Sequence, residues 1–140
     1  MRFVLDNSVT MCWLIGDGSA SDLSYAAHVL GVLEDEACVA VVPGIWALEV
    51  ANVIVRAEAR HLVTEARSAE FLGTLLEMAV EVDGHRFSHA LADTLQLARR
   101  FKLSSYDAAY LELALRQGLS IATLDVDLRR AAEQAGAPLI

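Results

Sequence analysis

The chain has 140 residues, 55% of them hydrophobic, and a formal net charge of −8. Its mean hydropathy is +0.40 and its sequence pI about 4.8. These values predict one domain over residues 1–140 with a real apolar core and exclude a disordered chain. The acidity excludes a broadly basic surface for duplex DNA, while eleven cations (ten Arg and Lys102) still permit a local phosphate-binding patch.

Arg2–Leu5 reads as a buried strand. The run is too short for a secretory signal, and Asp6 interrupts it. From Asp6 to about Leu14 the chain can open a helix. Gly16-Asp17-Gly18-Ser19 is a turn without a G-x-G-x-x-G pattern or a P-loop lysine, which excludes the nucleotide fingerprints. Leu23, Ala26, Ala27, Leu30 and Leu33 mark a helix from Ser21 that Glu34-Asp35-Glu36 ends. Cys38–Val42 is a second strand. Cys12 and Cys38 have no zinc or disulfide spacing and are expected as reduced, buried thiols of a cytoplasmic protein.

Pro43 suits the first turn of a helix reaching about Arg60, with Glu49 in its middle. Cys38–Val55 is the longest apolar stretch, but Pro43, Gly44, Glu49 and Asn52 break it, so no membrane span is expected. Thr64 caps a helix through Met78, and Ala79–Val82 is a short third strand. His85–Phe101 is amphipathic, with Phe87, Leu91, Leu95 and Ala98 on one side. Ser104 opens a helix that ends near Gly118. Leu119–Leu124 is a fourth strand, Val126–Ala135 a helix and Pro138–Ile140 an edge strand. Alternating strands and helices predict right-handed crossovers and a mainly parallel sheet of four or five strands, covered on both faces.

Four of the nineteen carboxylates stand among apolar neighbours: Asp6, Glu49, Asp107 and Asp125. Burying an unpaired carboxylate is costly, so each needs a cation, a donor or a helix N-terminus. Asp6 and Asp125 can be helix N-caps, and Ser104-x-x-Asp107 reads as a capping box. Glu49 is not explained by a cap; a buried salt bridge with Arg56, seven residues on, is the structural alternative. Parallel strands would bring all four to the carboxyl edge of the sheet, where open α/β folds bind ligands. Clustered carboxylates repel unless a cation neutralises them, and an all-oxygen set favours Mg²⁺, with Mn²⁺ able to substitute.

Four stretches then resemble the PIN-domain ribonucleases, and among them the VapC-type toxins of toxin–antitoxin pairs. They are Leu5-Asp6-Asn7-Ser8-Val9, Pro43 to Asn52, Leu103 to Ala114, and Ala122-Thr123-Leu124-Asp125. The resemblance implies a three-layer α/β/α sandwich, metal-dependent endoribonuclease activity on RNA such as tRNA or rRNA, usually a homodimer, and an inhibiting VapB-type antitoxin. By position it makes Asp6, Glu49, Asp107 and Asp125 the acidic quartet, with Asp6, Asp107 and Asp125 as metal ligands. It gives Asn7 or Ser8 and Thr123 supporting roles, and Asp127 an auxiliary one. Arg56, Arg60, Arg99, Arg100 and Lys102 are candidates to meet RNA phosphates, against their reading as solvated charges.

Other readings fit less well. A haloacid-dehalogenase nucleophile wants a second Asp where Ser8 stands, and a receiver domain wants an acidic pair and a late lysine that the chain lacks. His85 and His89 are spaced i, i+4, but no H-E-x-x-H zinc motif is present. An inactive PIN-like module acting through dimerisation and antitoxin or RNA binding is the alternative to an enzyme.

Overall fold

The structure, a computed structural model, describes residues 1–84 and 87–140. In chain order the elements are β1 (Arg2–Leu5), α1 (Asn7–Ile15), α2 (Ala20–Leu33), β2 (Val39–Val42), α3 (Trp46–Ala59), α4 (Glu65–Glu77) and β3 (Val80–Val82). Then come α5 (Phe87–His89), a π-helical turn (Ala90–Thr94), α6 (Leu95–Phe101), α7 (Ser105–Gln117), β4 (Ser120–Ala122) and α8 (Val126–Ala135). No helix among the described residues is long and apolar enough to cross a membrane.

The four strands form one parallel sheet in the order β3-β2-β1-β4. Val4 pairs with Val41 on one side and with Ile121 on the other. Successive strand residues point to opposite faces, yet Phe3, Val4 and Leu5 are all fully buried. Both faces of the sheet are therefore covered, as the run of apolar residues predicts. Each such side chain contributes about 1.5–3 kcal/mol on burial. Leu111, Leu113 and Tyr110 of α7 and Leu128 of α8 complete the same core. The fold is an α/β sandwich with a central parallel sheet.

The chain order reverses at β1: β2 and β3 lie to one side and β4 to the other. This is a topological switch point, and the crevice beyond the carboxyl ends of β1 and β4 is the natural ligand site. The anticipated edge strand Pro138–Ile140 is reduced to one parallel bridge between Ile121 and Leu139, flanked by hydrogen bonds to Pro138 and Ile140.

Three local expectations need correction. Pro43 does not open α3; its carbonyl accepts from Trp46 N at 3.0 Å across a turn, and α3 begins there. Glu49 consequently stands in the first turn of α3 and not in its middle. In α2 the buried stripe centres on Ala26 and Val29, while Leu23 is exposed. In the segment after β3, the π-helical turn inserts a residue and rotates the inward face. Thr94 is buried there and Leu91 is exposed, against the 3.6-residue pattern. His85 lies outside the described residues.

Sequence reading also passed over Glu112, a buried carboxylate on α7, 4% exposed. Arg116 donates to it at 2.7 and 3.2 Å and to Asp83 at 2.6 Å, tying α7 to the segment after β3. Removing Arg116 alone leaves the buried Glu112 charge unanswered, whereas replacing Glu112 as well leaves only Asp83, which keeps its bond from Gln117 Nε2. Arg116→Ala is expected to lower unfolding stability by about 2–3 kcal/mol, reduced from the fully buried case because Arg116 is partly exposed. Glu112→Gln combined with Arg116→Met is expected to lose less. Equal losses for the single and double variants in chemical denaturation would contradict this reading.

Candidate active site at the carboxyl edge

Asp6 is the first residue beyond β1, and its N–H donates to Ala122 O at 3.0 Å, extending the ladder with β4. The side chain is 4% exposed. Ser8 Oγ donates to Asp6 Oδ2 at 2.5 Å, and Thr123 Oγ1 donates to the same oxygen at 2.7 Å. Oδ1 has no hydrogen-bond donor among the described residues. The carboxylate is thus half satisfied, with one oxygen left for a ligand.

Burial pushes the Asp6 pKa up to about 6. The Ser8 and Thr123 hydroxyls oppose that rise, and the charges of Asp107 and Glu49 add to it. Among the described residues Asp6 has no salt bridge, and neither do Glu49, Asp107 and Asp125.

The other three acids stand at helix N-termini. Glu49 is in the first turn of α3, where it accepts from Tyr110 Oη at 2.6 Å through Oε1. Burial raises its pKa, the Tyr110 bond lowers it, and Asp107 raises it. Asp107 is in the first turn of α7, with its N–H donating to Ser104 Oγ at 3.1 Å. Burial also raises its pKa, followed by the charge of Asp125; Asp127 adds a smaller push in the same direction. Asp125 is the N-cap of α8, its Oδ1 accepting from Leu128 N at 2.8 Å. Asp125 thus caps α8 as expected, Ser104 caps α7 through the Asp107 N–H without the reciprocal bond of a full capping box, and Asp6 stands at the N-cap position of α1 without a side-chain cap bond. Helix N-termini favour negative charge, which is how three helices tolerate acids that repel one another.

Of the supporting residues, Ser8 and Thr123 reach Asp6 directly. Asn7 does not, and its Oδ1 is buried without a hydrogen-bond partner. Asp127 is exposed and pairs with Arg130 at 2.9 Å. Arg56, Arg60, Arg99, Arg100 and Lys102 are all exposed, and among the described residues none contacts the four acids. Arg100 lies against the Phe101 ring. Trp46 Nε1 donates to Thr10 Oγ1 and Trp13 Nε1 to Ala26 O, so both indoles serve the interior.

Three positioning side chains were missed in the sequence. Tyr110 is fully buried, and burial and the charge of Asp6 push its phenol far above the ordinary value, so it stays a donor to Glu49. Tyr25 Oη accepts from Thr123 N at 3.3 Å, and Arg129 Nη2 donates to Thr123 O at 2.8 Å. The Arg129 guanidinium packs 5.1 Å from the centre of the Tyr25 ring. Both peptide groups of Thr123 are therefore held while its hydroxyl accepts from Asp125 N at 3.0 Å and donates to Asp6. Tyr110 lies within the Leu103 to Ala114 stretch, but its link to Glu49 shows only in the packing of α7 on α3; no motif marks Tyr25 and Arg129, which the adjacency of α2 and α8 to the β4 end reveals.

Among the described residues, no three acid, histidine or cysteine side chains are grouped closely enough to cage a metal ion by themselves. The donor set is all oxygen, and it is short of positive charge. That suits a hard cation that retains several waters and takes one or two carboxylates, as Mg²⁺ does, better than a stripped ion in a closed cage.

The PIN domain sequence model matches residues 4–134. Ribonuclease VapC3 of Pyrobaculum aerophilum is 34% identical over 82 residues, which is 59% of this chain. The match spans 63% of that relative's length, a little under two thirds. The crystal structure of PAE2754 from Pyrobaculum aerophilum superposes with a TM-score of 0.67 at 20% identity, covering 94% of this chain and 87% of that one. VapBC2 from Rickettsia felis, bound to a DNA fragment from their promoter, gives 0.68 at 10% identity, covering 100% and 98%. FitAcB from Neisseria gonorrhoeae gives 0.60 at 16% identity, covering 100% and 96%. At these identities the three structures speak for the fold alone. A family match over nearly the whole chain, on this parallel sheet, is the stronger finding: the chain belongs to the PIN domain family.

Proposed function

We propose that the chain is a Mg²⁺-dependent endoribonuclease of the VapC type, hydrolysing phosphodiester bonds in RNA such as tRNA or rRNA. The observation that carries this is Asp6: buried at the switch point, hydrogen-bonded on one oxygen only, and pushed by the charges of Asp107 and Glu49, with no salt bridge to it among the described residues. Family membership and the relative named Ribonuclease VapC3 support the same reading. The structural likeness to VapBC2 of Rickettsia felis supports a VapB-type antitoxin as partner. A cytoplasmic homodimer completes the proposal.

Asp6, Asp107 and Asp125 would hold the cation, with Asp127 auxiliary. A bound divalent ion supplies charge neutralisation at the phosphate and lowers the pKa of a water. Tyr110 occupies Glu49 Oε1 and leaves Oε2 to orient the attacking water and take its proton. Burial, which raises the Glu49 pKa, makes it a better base than an exposed carboxylate. The Ser8 and Thr123 hydroxyls fix the Asp6 carboxylate so that Oδ1 faces away from them. Attack by water forms the new P–O bond, breaks the bond to the 3′-oxygen, and leaves a 5′-phosphate and a 3′-hydroxyl.

Mapping 5′-phosphate ends in cellular RNA after brief expression tests the reading. New discrete ends are expected with the wild type and none with Asp6→Asn. Ends shared by both proteins, or 2′,3′-cyclic phosphates in place of 5′-phosphates, would contradict it. An absence of new ends with soluble wild-type protein would favour the binding module.

Asp6 also sets a pH dependence. Its folded pKa of about 6 lies above the ordinary 3.8. The metal-free fold therefore loses stability as pH rises from about 4 through about 6, to the extent of about 3 kcal/mol. Asp6→Asn cannot ionise and is expected to be more stable than the wild type at pH 7.5 without metal, with the gap closing near pH 4. Thermal melts in a chelating buffer check this. A variant less stable at both pH values would contradict it.

A further inference from the structure

Tyr106 is an exposed aromatic side chain, 59% exposed. It is the second residue of α7 and immediately precedes Asp107. With Glu49, Asn52, Ile45 and Leu48 it lines an open groove of about 310 Å³. One proposed catalytic acid thus stands in the groove wall, and a second is the next residue along the chain. Tyr106 also lines a second depression of about 260 Å³ with Pro43, Gly44 and Ala109. Opposite it, Glu49, Asn52 and Arg56 follow i, i+3, i+7 spacing and share one face of α3.

A nucleic acid approaching this edge meets a physical difficulty. The chain carries a net charge of −8, and the exposed Arg and Lys candidates do not touch the acids. Phosphate attraction, the usual main source of affinity for nucleic acids, is weak here. Stacking of bases on an aromatic ring is indifferent to that charge, and it needs an unpaired base with a free face. The groove volume falls at the small end for ligand sites, about 300–1,000 Å³.

We propose that Tyr106 and Asn52 form a base subsite beside the carboxylates, in which one unpaired RNA base stacks on the Tyr106 ring and presents its edge to the Asn52 amide. The proposal rests on the ribonuclease reading and specifies how its substrate is gripped. Binding energy comes mainly from the base, so affinity falls only shallowly with salt. Arg56, one turn beyond Asn52, meets the adjoining phosphate.

The test is a fluorescence-anisotropy titration of labelled single-stranded oligoribonucleotides against the Asp6→Asn protein, which binds without cutting. Adding Tyr106→Ala is expected to weaken binding about 10- to 100-fold, and Tyr106→Leu nearly as much, because bulk without a π face does not stack. Tyr106→Phe is expected to restore most of the affinity. Unchanged affinity in Tyr106→Ala overturns the subsite. In the otherwise wild-type protein, Tyr106→Ala is expected to raise KM much more than it lowers kcat. Cleavage with an unaltered KM would overturn the subsite while leaving the ribonuclease reading intact. If wild-type protein neither binds nor cuts any RNA, the ribonuclease reading fails and the subsite with it. If Tyr106→Ala instead dissociates a dimer in sedimentation, with RNA affinity unchanged, Tyr106 is an interface residue and the proposal is wrong.

Discussion

The Asp6 carboxylate is the group around which the carboxyl edge is built. It must be buried, because it follows directly from the central strand β1 and its N–H continues the ladder to β4. Burial penalises its charge. Two hydroxyls, from Ser8 and Thr123, offset part of that penalty on a single oxygen. A second pair of donors would have made Asp6 a satisfied structural residue. Their absence among the described residues, with three further acids close enough to raise its proton affinity or each other's, leaves an unsettled site in an otherwise well-packed core. Buried groups of that kind are concentrated at functional sites.

The rest of the fold serves that point. A parallel sheet directs all strand ends to one edge, so α3 and α8 begin there, and α7 runs back with its N-terminus at the same edge. Three helix N-termini then surround the end of β1, each bearing an acid in its cap or first turn. Their dipoles temper the repulsion. Tyr110 ties α7 to α3 at Glu49, and Tyr25 and Arg129 tie α2 and α8 to Thr123. These ties hold carboxylates that would otherwise separate.

The strands and the four acids were legible because both depend on local pattern: short apolar runs ending in a carboxylate, and turn-spaced apolar residues between them. Helix caps at Ser104, Thr64 and Asp125 were legible for the same reason, since their chemistry lies within three residues. The π-helical turn was not, because an extra residue in a helix changes the phase without leaving a compositional trace. Nor was the start of α3: Pro43 is compatible with a first helical turn and with the turn before it, and only the Trp46 bond decides between them. Tyr110, Tyr25 and Arg129 act across 61, 98 and 6 residues of sequence. The longer two of those links are set by tertiary packing alone. Glu112 looked like any surface acid until Arg116 and the buried face of α7 gave it a partner.

The central claim is that the acidic group is a cation site with Asp6 at its heart. Isothermal titration of Mn²⁺ into the metal-free protein at pH 7.5, wild type against Asp6→Asn, tests it most directly. Saturable binding by the wild type in the millimolar range or tighter is expected, weakened at least about tenfold by the substitution, as loss of a coordinating or supporting group does elsewhere. No saturable binding by the wild type, or equal binding by both proteins, would contradict it.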